Sequence, residues 1–134
     1  GADELVELTQ LLERSDVVLL SCPLSTSTFH LIDAPRLAQM KPTAYLINIG
    51  RGALVDESAL IEALAGRRLA GAGLDVLEHE PPDPDNPLLS MDNVVITPHS
   101  LGATVENVSL VADSVRRSVE SLLRGELPKN TVNP

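Results

Sequence analysis

The sequence predicts an α/β fold, an open parallel sheet with flanking helices. Three observations carry that reading: four short, nearly unbroken apolar runs; helical patterns between and around them; and spacings long enough for crossovers. The runs begin at residues 17, 44, 71 and 94, so successive starts stand 27, 27 and 23 residues apart. Parallel neighbours need a crossover of about that length. Taken in order, Leu5, Leu8, Leu11 and Leu12 recur at helical spacing and predict a first helix, with Asp3 placed to cap it. Strands follow over 17–22, 44–49, 71–77 and 94–97. Their continuous hydrophobicity is that of strands buried on both faces. Asp33 stands before a helix over 34–40, with Pro35 tolerated in its first turn. Asp56 caps a helix over 57–65, where Leu60, Ile61 and Leu64 share a face and Gly66 supplies the stop. The last helix is the longest, over about 104–124 with Gly125 closing it. Val105, Val108, Ala112, Val115, Val119 and Leu122 step along it by three or four. One link is irregular: residues 78–93 hold four prolines and three aspartates, which predicts a shaped loop in place of a helix.

Composition narrows the class. The 134 residues suit one domain, and 43% hydrophobic with 22% charged residues is a globular balance. Ten basic against nineteen acidic residues give a formal charge of −9, which argues against a nucleic-acid or anionic-membrane surface. Phe29 and Tyr45 are the only phenylalanine and tyrosine and there is no tryptophan, so the core must be aliphatic. Cys22 is the single cysteine; it forms no internal disulfide and suits a reducing compartment. With no apolar run near the roughly 18 residues of a membrane span and no basic leader segment, the expectation is a cytoplasmic domain.

Ligands of open parallel sheets meet the carboxyl ends of the strands. Just past those ends lie Cys22-Pro23-Leu24 with the hydroxyls of 25–28, Asn48-Ile49-Gly50-Arg51-Gly52, Asp75 followed by Glu78-His79-Glu80, and Thr97-Pro98-His99-Ser100-Leu101-Gly102. One rim thus collects an arginine flanked by glycines, carboxylates and an imidazole. Singly these features read blandly: Gly50 and Gly52 as a tight turn, Arg51 as a solvated charge, His99 as a helix-entry residue, Glu80 as a soluble loop residue. Asp75 differs, because a carboxylate within Gly-Leu-Asp-Val-Leu needs a partner or ligand. His30 and His79 read as structural or surface residues, and Cys22 as a small packing group. No metal-ligand set stands out.

Three long segments in order carry a resemblance: I-N-I-G-R-G-A-L-V-D-E-S-A-L at 47–60, G-A-G-L-D-V-L-E-H-E-P-P at 71–82 and N-V-V-I-T-P-H-S-L-G-A-T at 93–104. Together with S-D-V-V-L-L-S-C-P-L-S-T-S-T-F-H-L-I at 15–32, they resemble the D-isomer-specific 2-hydroxyacid dehydrogenase family. The resemblance implies a Rossmann-like, doubly wound nucleotide-binding domain of which residues 1–134 are the second half. No G-x-G-x-x-G opens a helix here, so the fingerprint half and the substrate domain are expected outside this sequence. It further implies NAD or NADP as cofactor, a small 2-oxo or 2-hydroxy acid as substrate, and a homodimer. Matched by position, Arg51, Glu80 and His99 would be the catalytic set. Cys22, Pro23, Leu24, Thr28, Asn48, Ile49, Gly50, Arg51, Asp75, His99, Ser100 and Gly102 would line the nicotinamide side. Two departures stand out: Ser21 where many relatives carry His, and Leu101 where the pattern is usually small.

Other functions fit less well. A corepressor-like NAD(H)-binding scaffold would share the fold and can keep the three catalytic positions. A receiver-like domain would want an acidic pair after the first strand and a lysine after the last; those places hold Cys22-Pro23 and Pro98-His99. A serine hydrolase would want a G-x-S-x-G elbow, which the sequence lacks. The segment by itself is expected to show little activity, its first strand left with a bare apolar edge.

Overall fold

The structure, a computed structural model, describes residues 2–131. It divides into two compact units, Gly1–His99 and Ser100–Pro134. In the first, four parallel strands lie in chain order: β1 (Val17–Leu20), β2 (Tyr45–Asn48), β3 (Gly71–Leu74) and β4 (Val94–Ile96). Helix α1 (Leu8–Arg14) precedes β1, α2 (Ala34–Leu37) and α3 (Glu57–Ala65) fill the next two connections, and 78–93 runs as a loop with one 3-10 turn at Pro87–Ser90. Each strand is shorter than its apolar run. The residues just beyond still close a last rung, as Ile49 N–H donates to Leu20 C=O at 3.1 Å and Asp75 N–H to Asn48 C=O at 3.0 Å.

Local chemistry sets most helix ends. Asp33 accepts from the Arg36 amide at 3.0 Å and Asp56 from the Ala59 amide at 3.0 Å, each satisfying an orphan first-turn donor. Beyond Leu37, the Gln39 and Met40 amides bond three residues back, tightening α2 to a stop before the expected residue 40. Past α3 the left-handed residue is Arg67, at φ 52°, and not Gly66, at φ −77°. The expected cap at Asp3 is not used. Helix α1 starts after Glu7, because Leu8 and Leu12 dock on the core while Leu5 is 93% exposed.

One aliphatic core holds the unit together. Leu12, Leu37, Leu60 and Leu64 from the helices meet Val18, Leu20, Leu46, Ala72 and Leu74 from the sheet, all buried. These strand residues share one face. The opposite face presents Val17, Leu19, Tyr45 and Val95, each at least half exposed. Within this unit the burial expected on both faces is met on one, because all three of its helices lie over one side. At an edge of the sheet, β1 pairs with β2 alone among the described residues.

The second unit carries α4 (Val105–Leu123), entered by Thr104, whose hydroxyl accepts from the Asn107 amide at 3.1 Å. Gly125, at φ 73°, follows its end. The apolar stripe is present as expected, with Val108, Val115, Val119 and Leu122 all exposed. Among the described residues, no helix is long and apolar enough to cross a membrane.

Candidate active site

The carboxyl ends of the four strands build the site. After β1, the 23–28 turn satisfies itself: Thr28 Oγ1 donates to Pro23 C=O at 2.9 Å and accepts from the Ser25 amide at 2.7 Å. Cys22 is half-buried and packs on the core, while Leu24 stays 41% exposed. After β2, Asn48 is 1% exposed and braces the next turn, donating to Arg51 C=O at 2.9 Å and accepting from the Gly50 amide at 3.1 Å. Ile49 remains partly exposed. The Arg51 guanidinium is exposed and donates to Gly50 C=O at 2.7 Å.

The next residue, Gly52, sets how closely this turn approaches the loop after β3. A Cβ on Gly52 would stand 1.9 Å from the Leu77 carbonyl oxygen and 2.4 Å from the Glu78 nitrogen. The turn carrying Arg51 therefore lies directly against the backbone that leads to Glu80. Only glycine permits that approach.

Beyond β3 and β4, three predicted residues come together. Asp75 is 6% exposed, and Thr97 Oγ1 donates to its Oδ1 at 2.5 Å. Glu80 Oε2 stands 2.7 Å from His99 Nδ1, and Glu80 Oε1 accepts the Leu77 amide at 3.0 Å. The His99 hydrogen bond, followed by the Leu77 amide, holds the Glu80 carboxyl below its ordinary value of 4.5, against the opposing pull of desolvation and of Asp75. An ionised carboxylate only accepts, so Nδ1 carries the proton of this pair and Nε2 faces outward from it. His99 also takes a left-handed backbone, at φ 52°. A bulky residue pays about 1–2 kcal/mol there, and such conformations gather at functional sites.

Asp75, Thr97 and His99 line a cleft of about 370 Å³ walled by Pro81, Pro82 and Ile96. Arg51 does not line it; its turn reaches the cleft's frame only through Gly52. Ser100 and Gly102 belong to the second unit, where their carbonyls accept from the Ala103 amide at 2.8 Å and the Asn107 side chain at 2.6 Å. Leu101 is 56% exposed in that unit.

Sequence reasoning missed a second histidine–glutamate pair. His30 Nε2 lies 2.9 Å from Glu78 Oε1, across 48 residues of sequence. The only local sign was the alternation Glu78-His79-Glu80, with carboxylates two residues apart.

Residues 1–100 match the family described as D-isomer specific 2-hydroxyacid dehydrogenase, NAD binding domain. The chain belongs to this family. A glyoxylate reductase of Thermofilum pendens is 47% identical over 130 residues, which span 97% of this chain and 38% of that protein. The D-lactate dehydrogenase of Lactobacillus jensenii, solved with NAD+, superposes with TM-score 0.87 at 35% identity, over 96% of this chain and 43% of that one. An NADPH-dependent glyoxylate/hydroxypyruvate reductase of Sinorhizobium meliloti, solved with NADP and malonate, gives TM-score 0.80 at 38% identity, over 87% of this chain and 36% of that one. The chain thus spans about two fifths of the length of these relatives. As an NAD-binding domain of the family, its cleft suits a nicotinamide: apolar proline and isoleucine walls for a flat ring, and one buried carboxylate to accept an amide N–H.

Proposed function

We propose that the protein carrying this chain is an NAD(P)-dependent oxidoreductase acting on a small 2-oxo or 2-hydroxy acid. The observation that supports it best is the 2.7 Å pairing of His99 with an ionised Glu80 beside the cleft. Asp75 would hold the carboxamide of the cofactor, and the bound nicotinamide supplies hydride chemistry at its ring. Glu80 orients the imidazole by accepting from its Nδ1. His99 Nε2 gives a proton to the substrate carbonyl oxygen during reduction and takes one from the hydroxyl during oxidation. Arg51 grips the substrate carboxylate with a permanently charged planar fork. Its exposure and its single backbone bond leave most of that fork available.

In this reading residues 1–134 are the nicotinamide side of a longer nucleotide-binding domain, completed by a glycine-rich half and a substrate domain. The share of each relative that is matched supports this. So does β1, which stands at an edge of the first unit's sheet with β2 as its partner. A cytoplasmic homodimer belongs to the same proposal, in keeping with a lone unpaired Cys22. The relatives named as reductases and dehydrogenases favour turnover over a scaffold role.

The test is direct. The full-length protein, given NADH or NADPH with glyoxylate, hydroxypyruvate or a similar 2-oxo acid, should lose the near-ultraviolet absorbance of the reduced cofactor. Tight cofactor binding without turnover across a broad acid panel would point to the scaffold instead.

A further inference from the structure

Two histidines of the first unit share an unusual arrangement. His30 and His99 both adopt left-handed backbone, at φ 48° and 52°, and each meets a carboxylate of the same short turn, Glu78 and Glu80 respectively. The pairs differ in how firmly they are fixed. The side chains of His99 and Glu80 are 50% and 37% exposed, those of His30 and Glu78 only 30% and 21%. The inner pair is tied down on every side. Glu78 Oε2 accepts the Glu57 amide at 3.2 Å, while the Glu78 amide donates back to Glu57 Oε2 at 2.9 Å. Asn86 Nδ2 donates to the other oxygen of Glu57 at 2.7 Å, joining the far part of the proline-rich loop. His30 stacks on Phe29 with ring centroids 4.0 Å apart, and its amide donates to Ala53 C=O at 2.8 Å.

We propose that Glu78, held by His30 and Glu57, is a positioning residue that sets the 77–80 turn so that Glu80 reaches His99. The geometry explains why this place was chosen. Glu57 is the first residue of α3, so its amide is one of the helix's orphan donors and the helix end favours a carboxylate. Glu78 thereby docks the loop on a rigid element. From that anchor, the Leu77 amide directs one Glu80 oxygen while the other faces His99. The same backbone, at Leu77 and Glu78, is what Gly52 packs against. One carboxylate therefore fixes the turn of Glu80 and backs the turn of Arg51. A group acting through others in this way changes rate by misplacing them, and a displacement near 1 Å is worth up to about a hundredfold.

This inference rests on the proposed dehydrogenase reading for its kinetic half only. The experiment compares Glu78→Ala and Glu78→Gln with the parent full-length enzyme. Glutamine keeps an acceptor for the Glu57 amide and a polar partner for His30, so it should stay within about threefold of the parent, whereas alanine should lower kcat/KM for the 2-oxo acid roughly tenfold. Cofactor affinity should be unchanged in both. The second readout needs no turnover. In Glu78→Ala the ¹³C titration of the Glu80 carboxyl, identified by its loss in Glu80→Gln, should move up toward the ordinary glutamate range as the His99 contact slackens. A parent enzyme that turns over no acid would sink the function while this titration still decided the positioning role. An active parent with Glu78→Ala equal to it in rate, and with Glu80 titrating unchanged, would overturn the positioning role alone. Should Glu78→Ala not fold, His30→Ala removes the imidazole's support of Glu78 while leaving the Glu57 bonds, and the same two readouts decide.

Discussion

Replacing Gly52 with alanine puts a methyl carbon where the Leu77 carbonyl already is. The added Cβ would lie 1.9 Å from that oxygen, 2.0 Å from the carbonyl carbon and 2.4 Å from the Glu78 nitrogen. Ordinary contact begins at 3.4 Å, so the two backbones must part by about 1.5 Å. No flexible side chain can absorb this, because every close atom is main chain. Overpacking of a rigid contact costs about 1–3 kcal/mol, and a shift of this size in reacting groups costs rate about a hundredfold. Gly52→Ala should therefore fold with a lowered urea midpoint and lose kcat/KM far beyond what its stability loss explains. Gly125→Ala is the comparison: nothing lies within 4 Å of its Cβ, so only its φ of 73° is strained. That change should cost about 1 kcal/mol and leave catalysis alone. Equilibrium unfolding together with initial rates on the full-length protein measures both effects. A Gly52→Ala enzyme with parental kcat/KM would refute the claim that contact between these turns sets the site.

Three further outcomes follow from the same geometry. His99→Ala should cut turnover by about 10²–10⁴-fold, the usual weight of a positioned proton donor, and let the Glu80 carboxyl titrate nearer its ordinary value. An unchanged rate would remove His99 from the chemistry. Arg51→Ala should raise KM for the acid and lower kcat while sparing cofactor affinity; a loss confined to the cofactor would contradict its role. For pH, the Glu80 carboxyl titrates lower folded than unfolded, so its stabilising share is fully present above the ordinary value of 4.5 and fades as pH falls through the lowered folded one. Urea midpoints of the parent minus those of Glu80→Gln should shrink over that acidic window, and a difference constant with pH would oppose the assignment.

Much of this molecule is legible from its residues because much of it is local. Asp33 and Asp56 each cap the helix that follows by accepting the amide three residues on, a signal contained within one turn of chain. The order of strands follows from crossover lengths, and the approach of Asp75, Glu80 and His99 follows from parallel strands ending on one side. What fails to show is set at a distance. Asp3 looks like a cap, yet the docking of Leu8 and Leu12 decides where α1 begins. The apolar runs look doubly buried, since hydrophobicity records that a face is apolar and not which segment covers it. His30 and Glu78 lie 48 residues apart, and Glu57 and Glu78 lie 21 apart; no periodicity links such partners. The same holds for Gly52, whose glycine reads as a turn until the opposing carbonyl is seen.

The left-handed backbone at His30 and His99 has a consequence for anyone surveying variants. Tolerance at these two positions will be sorted by main-chain conformation before it is sorted by side-chain chemistry. Asn, Asp and Gly enter that region readily, and Val, Ile and Thr do not. A screen that scores abundance should thus accept asparagine and reject valine at both sites, while a screen that scores catalysis should reject both at residue 99. Laid side by side, the two maps separate what the main chain demands at both histidines from what the imidazole does at each.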